Sequence, residues 1–451
     1  MEKLQRAWRR VILVRYGEIA LKGKNRSDFE QQLARQIEAT VTSLAQGQTG
    51  GSASVTEPMP VLAAVERTYG RIFVTPRRAE DLSLVLSALQ YVPGLVSFSP
   101  AVRVPLGEPH GADSLPAIQD AAWELVQEAL ATEALPPTPW RLTGPPPRTF
   151  KVAARRSYKR FPLTSLELNQ EVGAELLRRG IGLPVDVHQP DLTVSIEVRE
   201  EGAYISVLEI PGPGGLPVGS SGRAVLLLSG GIDSPVAGWM ALRRGVELTA
   251  LHFESYPFTS EEALRKVEDL CRVMARYAGG RLVLRVCHFT EVQKAIQLRC
   301  PEQLRITILR RMMFRVAEQI AEQEGAAALC TGENIGQVAS QTLESLRAIE
   351  MVTLLPVLRP LAGFDKDETV RQAQQLGTFD ISIRPFEDCC TIFAPVHPRT
   401  RPQPEEVSKA EAALDVNGLV RQAVAQTDRR EIAAYWPALA PNPPVPTRGQ
   451  P

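Results

Sequence analysis

The feature that most constrains this chain is the run AVLLLSGGIDSPVAGWMALRRG, from Ala224 to Gly245. An apolar strand, Ala224–Leu228, leads directly into Ser229-Gly230-Gly231-Ile232-Asp233-Ser234, and a helix follows. Two glycines let the backbone turn tightly, and their missing Cβ atoms let amide N–H groups approach a phosphate. The helix N-terminus adds partial positive charge at the same spot. There is no G-K-[ST], so this is not a loop that holds β- and γ-phosphates with a lysine. From Arg223 onward strands and helices alternate steadily. Glu247–His252, Arg281–Val286 and Ala327–Cys330 are, like Ala224–Leu228, apolar enough for inner parallel strands. The fold class is α/β, a doubly wound domain whose ligands belong at the carboxyl ends of the strands.

A chain of 451 residues is too long for that one core. Upstream, a strand at Val11–Arg15 precedes a helix opening near Ser27, where Glu30 stands at capping-box spacing. A strand at Gly70–Val74 and a helix at Ala79–Leu89 complete a small α+β unit of ferredoxin-like type, residues 1–80. Residues 81–210 read as a second unit. A strand around Leu95–Val104 leads to a helix about Ser114–Leu135, then to prolines at 136, 137, 139 and 145–147 that mark a surface connection. A strand at Thr149–Ala154, a basic turn, a helix from Ser165 to about Arg179 and strands at Leu192–Val198 and Ala203–Leu208 follow. PGPGGLPVGSSG, residues 211–222, is a linker by composition. The α/β domain is placed at 223–405, with a C-terminal helix and proline-rich, disordered tail at 406–451.

Composition excludes little else. Lys+Arg and Asp+Glu are both 51, so any nucleic-acid surface must come from local clustering. The six cysteines (271, 287, 300, 330, 389 and 390) form no C-x-x-C pair, so spacing gives no zinc or iron–sulfur site, and no metal ligands are assigned. The N-terminal MEKLQRAWRRVILVRYGE lacks a signal-peptide core, and no stretch approaches a membrane span. A cytoplasmic protein is the expectation.

S-G-G-x-D-S after a strand resembles the PP-loop of ATP pyrophosphatases, which hold the departing pyrophosphate. That resemblance implies attack on the α-phosphate of ATP and an adenylated intermediate. Further segments agree on one family: Arg15-Tyr16-Gly17-Glu18 with IALKGKNR, KVAARRSYKRFPLTS, GLPVG, His252-Phe253, RRMMFR from Arg310, TGENIGQVASQTLESL, RPLAGFDKDE and PFEDCCTIF. Together they resemble the tRNA 4-thiouridine synthetases, tRNA sulfurtransferases also linked to thiamine thiazole synthesis. The resemblance spans about residues 10–400. It implies a ferredoxin-like domain, a THUMP RNA-binding domain and a PP-loop domain of the adenine nucleotide α-hydrolase-like type. It places Leu227, Leu228, Ser229, Gly230, Gly231, Asp233, Ser234, His252, Phe253, Arg310, Gly332 and Gln341 around ATP.

Each assignment has a plainer reading beside it. Leu227, Leu228 and Phe253 are core residues that can still present backbone to a ligand. Gly332 follows a strand and permits close backbone approach to the nucleotide. Asp233 is either a helix N-cap or a group that positions Mg2+ or pyrophosphate. Arg310 lies in an arginine-rich helix and is otherwise a solvated residue. Lys366, in Asp365-Lys366-Asp367-Glu368, is a cation at a helix N-terminus that the dipole disfavours. It matches a family position associated with catalysis, where a fixed cation neutralises charge at the α-phosphate.

Cys389 and Cys390 lie in a proline-flanked loop, Arg384 to Pro398. Cys389 matches the family cysteine that takes up sulfur as a persulfide. Glu387 and Asp388 do not lower its pKa, so Lys366 or Arg384 is the candidate cation. Cys271, Cys287 and Cys300 read as structural and Cys330 as a buried strand residue. Whether Cys390 or Cys330 resolves the persulfide stays open. Relatives with a C-terminal rhodanese domain carry a second sulfur cysteine there, and this chain is expected to be the shorter form.

Between Arg148 and Arg160, Arg148, Lys151, Arg155, Arg156, Lys159 and Arg160 occur with Phe150 and Tyr158 and no acid. By charge this is a phosphate-binding stripe, with Lys22, Lys24 and Arg26 as an extension. The implied partners are tRNA, a cysteine desulfurase as persulfide donor, a thiamine-pathway sulfur-carrier protein and a second copy of the chain as homodimer. ATP with Mg2+ is the implied cofactor. The rival readings are a PP-loop ligase or amidotransferase acting on a small molecule, a non-catalytic RNA-binding protein, and sulfur transfer only to a thiamine-pathway carrier.

Overall fold

A computed structural model of the chain describes residues 9–48, 62–68, 70–111, 113–131, 145–386 and 399–436. Cys389, Cys390 and the tail from 437 lie outside the described residues. The chain divides into two units between Gly214 and Gly215.

In the first unit β1 (Arg9–Arg15), α1 (Arg26–Gln48), β2 (Ala63–Thr68), β3 (Arg71–Pro76), α2 (Asp81–Leu89) and β4 (Ser97–Val104) follow the β-α-β-β-α-β order of a ferredoxin-like fold. The sheet order β2-β3-β1-β4, antiparallel throughout, completes that fold. The division drawn from sequence at residue 80 cuts through it. β4 pairs with β1 along the strand's length, from Arg9↔Arg103 to Arg15↔Ser97, so α2 and β4 belong with the strands before them. Ser27 is not the cap expected from sequence, because α1 begins at Arg26; Glu30 accepts hydrogen bonds from Arg26 Nε at 2.7 Å and from the Tyr16 hydroxyl.

α3 (Leu115–Leu130), β5 (Phe150–Arg156), α4 (Ser165–Arg178), β6 (Leu192–Arg199), β7 (Gly202–Ser206) and β8 (Ile210–Pro211) extend the same sheet as β4-β7-β6-β5, with β8 paired to β4. On β6 the alternation is regular: Val194, Ile196 and Val198 are fully buried, and Thr193, Ser195 and Glu197 between them are half-buried. Thr164 and Glu167 close a capping box that starts α4.

The second unit is built on β9 (Arg223–Leu227), α5 (Asp233–Arg243), β10 (Glu247–Glu254), α6 (Glu261–Ala275), β11 (Arg281–His288), α7 (Thr290–Arg299), α8 (Arg305–Glu324), β12 (Ala328–Cys330), α9 (Leu343–Glu350), β13 (Val357–Leu358), α10 (Lys366–Leu376) and α11 (Phe379–Ser382). With β14 (Thr427–Ala433) added, its sheet runs β13-β12-β9-β10-β11-β14, parallel except for that last strand. Strand residues alternate between two cores. Val225, Leu251, Phe253, Cys287 and Leu329 face one, and Ala224, Leu226, Leu228, Ala250, Leu284, Val286 and Cys330 face the other. Burial on both faces explains why these strands read as unbroken apolar runs. The strand order reverses between β9 and β12, so the Ser229–Ser234 turn after β9 lies at the topological switch point.

Residues after 405 also contribute to this unit. α12 (Pro404–Glu411) and α13 (Val416–Ala425) bury Val407, Val420 and Ala423 in its core. β14 (Thr427–Ala433) pairs antiparallel with β11 at the sheet edge. Glu411, 4% exposed, anchors α12 by accepting from Arg311 Nη2 at 2.9 Å and Arg315 Nη1 at 2.6 Å.

Candidate active site

The carboxyl ends of β9, β10 and β12 enclose a pocket of about 240 Å³. Leu227, Leu228, Ser229, Gly231, Asp233, Ser234, His252, Phe253, Arg310, Gly332 and Gln341 all line it, so eleven of the twelve residues assigned from sequence to ATP come together. Gly230 belongs to the same turn without lining the pocket. Met313, Thr331 and Glu333 also line it and were not anticipated.

The turn is held by its own serines. Ser234 Oγ accepts from Ser229 N at 3.0 Å, and Ser229 Oγ accepts from Gly231 N at 3.2 Å. Gly332 is required here for a reason different from the expected one. A Cβ built on it would stand 2.6 Å from Ser234 N and 2.8 Å from Asp233 C, so its backbone packs on the turn itself. His252 is buried, and its Nδ1 lies 2.9 Å from the Leu228 carbonyl. A carbonyl only accepts, so Nδ1 donates.

Asp233 is the first residue of α5 but does not cap it; Ile232 stands at the cap without a side-chain bond. Its carboxylate meets Lys366 Nζ at 2.7 Å through Oδ1 and Gln337 Nε2 at 3.2 Å through Oδ2. Lys366 is placed there by the start of α10, where Asp365 and Glu368 form a capping box. The two acids satisfy the helix end, and the lysine projects to the phosphate turn 133 residues away in sequence.

Arg310 is no solvated residue. Its Nη2 pairs at 2.9 Å with Glu333, which is 1% exposed and also accepts from Arg359 Nε at 2.9 Å. A carboxylate this deeply buried is tolerable because two guanidinium groups neutralise it. Glu333 therefore fixes Arg310 at the pocket wall. Gln341 Oε1 is buried without a hydrogen-bond partner among the described residues, an acceptor that a bound N–H group would satisfy.

Cys271, Cys287, Cys300 and Cys330 are all buried free thiols, which matches their structural reading. Burial pushes the Cys287 and Cys330 thiols up to about 12. Cys330 is thus unsuited to resolve a persulfide.

The basic stretch is divided by strand alternation. Lys151 and Arg155 share one face of β5 and, with Arg15, Glu197 and Glu209, line a groove of about 630 Å³. Arg156 points the other way and donates from Nη1 to the Phe161 carbonyl at 2.7 Å, holding the turn. Lys159 and Arg160 are exposed in that turn, where Tyr158 meets His110 Nδ1 at 2.7 Å. The expected single stripe is therefore two groups, half-buried Lys151 with exposed Arg155 and exposed Lys159 with Arg160, separated by a structural arginine. Glu197, in the groove, draws in Arg15 at 3.5 Å and Arg71 at 3.1 Å.

Fold and site define a class: a ferredoxin-like sheet with a strand extension, followed by a PP-loop α/β domain. Family models agree segment by segment. The ThiI ferredoxin-like domain matches residues 11–50, the THUMP domain 112–208 and the thiamine biosynthesis protein (ThiI) model 219–416. The chain is 49% identical over 411 residues to a probable tRNA sulfurtransferase of Moorella thermoacetica, covering 91% of this chain and 95% of that one. It is 46% identical over 422 residues to one of Brevibacillus brevis, covering 94% and 96%. A crystal structure of a 4-thiouridine synthetase–RNA complex with bound ATP matches with TM-score 0.79 at 41% identity, over 94% of this chain and 99% of that one. The chain belongs to the tRNA sulfurtransferase family of enzymes. Among the described residues no helix is long and apolar enough to cross a membrane.

Proposed function

We propose that this chain makes 4-thiouridine at position 8 of tRNA by adenylating O4 of the uridine and then delivering sulfur from a persulfide on Cys389. The observation that carries the proposal is the convergence of the phosphate turn, the His252–Phe253 strand end, Arg310 and the Lys366–Asp233 pair on one pocket. The N–H groups at the start of α5 favour the pyrophosphate, while Ser229 N and Gly231 N hold the turn in shape. Leu227–Leu228 and His252–Phe253 offer main-chain groups to adenine, and the orphaned Gln341 Oε1 suits a ligand N–H. Mg2+ arrives with ATP, because Glu333, the other carboxylate at the pocket, is already paired with Arg310 and Arg359, which leaves Asp233, and Mg2+ commonly binds through one or two carboxylates and the substrate's phosphates.

In the first step uridine O4 attacks the α-phosphorus in line, the bond to the β-phosphate oxygen breaks and pyrophosphate leaves. Lys366 shifts from Asp233 toward the charge that develops at the α-phosphate. In the second step the terminal sulfur of the Cys389 persulfide forms a bond to C4 and AMP departs. A thiol then reduces the remaining sulfur–sulfur bond, leaving 4-thiouridine. With Cys330 buried, Cys390 or an external thiol performs that reduction.

The first unit is the tRNA-binding part on this reading, through Lys151 and Arg155 in the groove and Lys159 and Arg160 in the turn. A cysteine desulfurase supplies the persulfide. The thiamine family model supports sulfur transfer to a thiamine-pathway carrier as a second role. The test is incubation of tRNA with the protein, ATP-Mg2+, a desulfurase and cysteine, followed by mass spectrometry of nucleosides. 4-Thiouridine at position 8 with stoichiometric pyrophosphate is the expected result. Pyrophosphate release with a small molecule but not with tRNA would favour a ligase instead.

A further inference from the structure

We infer that Asn334 is a positioning residue for the adenylation step, fixing the backbone from which Lys366 reaches the phosphate turn. The inference rests on the role proposed for Lys366. Asn334 lies in the loop after β12, is 7% exposed and does not line the nucleotide pocket. A buried amide needs a partner, and Nδ2 of Asn334 donates to the Phe364 carbonyl. That carbonyl and the Asp365 N–H belong to one planar peptide group and point opposite ways. Asp365 N in turn donates to Glu368 Oε2 at 2.9 Å. The peptide group one residue ahead of Lys366 is therefore gripped at both ends, by Asn334 from the loop and by Glu368 from within α10.

Lys366 needs such a hold because its own side chain supplies none. A lysine stem is flexible, so its ammonium is placed only as well as the backbone that carries it. Ala373 and Leu376 of α10 share an apolar cluster with Val236 and Ala237 of α5. Apolar contact is non-directional and brings the helices together without aiming the first turn. The polar contacts aim it. Next to Asn334, Ile335 N donates to the Ala362 carbonyl at 3.4 Å, so the loop and the chain entering α10 are joined at two points. From the same loop Gln337 Nε2 reaches Asp233 Oδ2 at 3.2 Å, while Asp233 Oδ1 meets Lys366 Nζ at 2.7 Å. One loop thus holds both members of the Lys366–Asp233 pair, Asn334 through the backbone ahead of one and Gln337 through the carboxylate of the other.

The same loop carries Gly332, Glu333 and Gln341, which line the pocket itself. That separates two roles for Asn334. As a positioning residue it acts through Lys366, and its loss misdirects the ammonium while the pocket lining stays in place. A misplacement of about 1 Å costs a catalytic group on the order of 100-fold in rate. As a mere brace of the loop it would carry Gly332, Glu333 and Gln341 with it, and ATP binding would weaken along with the rate.

The experiment is a double-mutant cycle on tRNA-dependent pyrophosphate release under single-turnover conditions, with the ATP Kd measured by calorimetric titration. Asn334→Ala is expected to slow release roughly tenfold or more while the ATP Kd stays within about threefold of wild type. In a Lys366→Ala background the same substitution should change the rate by less than about twofold, because the group it positions is gone. An unchanged rate in Asn334→Ala, an ATP Kd weakened as much as the rate, or a full further loss on top of Lys366→Ala overturns the inference alone. If Asn334→Ala does not fold, Asn334→Asp, which keeps the shape and removes the donor, carries the same comparison. Release at the wild-type rate by Lys366→Ala would remove the role proposed for Lys366 and this inference with it, and the single Lys366 variant distinguishes that failure from the others.

Discussion

Replacing Gly332 by alanine tests whether the phosphate turn is held by backbone packing. The added Cβ would lie 2.6 Å from Ser234 N and 2.7 Å from Ser234 Cα, closer than any ordinary contact. Both neighbours are main-chain atoms at the start of α5, so no side chain can swing aside. Overpacking of this kind costs about 1–3 kcal/mol. If the turn yields, that energy is withdrawn from nucleotide binding, and 1–3 kcal/mol corresponds to roughly a 5- to 150-fold rise in the ATP Kd. The same strain lowers Tm by roughly 2–4 °C per kcal/mol for a unit of this size. Gly363→Ala is the control, because a Cβ there meets nothing within 4 Å. Calorimetric titration with ATP-Mg2+ and thermal unfolding of both variants give the answer. An ATP Kd within twofold of wild type, with Tm unchanged, would refute the claim that Gly332 is needed against the turn.

Lys366→Ala should slow tRNA-dependent pyrophosphate release about 100-fold or more, yet shift Tm little, since a half-exposed pair contributes roughly 0–1 kcal/mol; equal losses in both would make it structural. Arg155→Glu should weaken tRNA binding and lower its log–log salt slope by roughly 0.7–0.9 or more, whereas Arg156→Glu should lower Tm first, and filter-binding titrations beside melting curves separate them. Cys389→Ser should abolish thiolation while keeping pyrophosphate release, with Cys390→Ser retaining substantial activity; normal thiolation by Cys389→Ser would remove it as the carrier. Burial pushes the Glu411 carboxyl up, but hydrogen bonds from Arg315 and Arg311 outweigh that and hold it below its ordinary 4.5. Its contribution to stability is therefore present above the unfolded pKa and lost as pH falls through the folded one, so Glu411→Gln should flatten the Tm-against-pH curve on the acid side of roughly pH 5. An unchanged acid slope would refute that contribution.

Why some of this was legible in the sequence and some not follows from what each feature depends on. The strands of the second unit were legible because both faces are buried and the run is apolar throughout, as in Ala224–Leu228. β14 was not: TDRREIA is an edge strand with one buried residue, and its charges read as a surface segment. β4 was seen as a strand but given to the wrong neighbour, since periodicity reports a strand and says nothing of its partner. The same limit governs the site. The phosphate turn is local, and its residues could be named in advance. Glu333 was not, although it sits in the quoted TGEN string, because its purpose depends on Arg310 and Arg359, which only the sheet order brings together. Arg156 shows the converse error, in which a cluster of like charges reads as a single phosphate-binding face. The fold gives each cation a separate acceptor, and that acceptor decides whether the charge is available to a ligand or already spent on the structure.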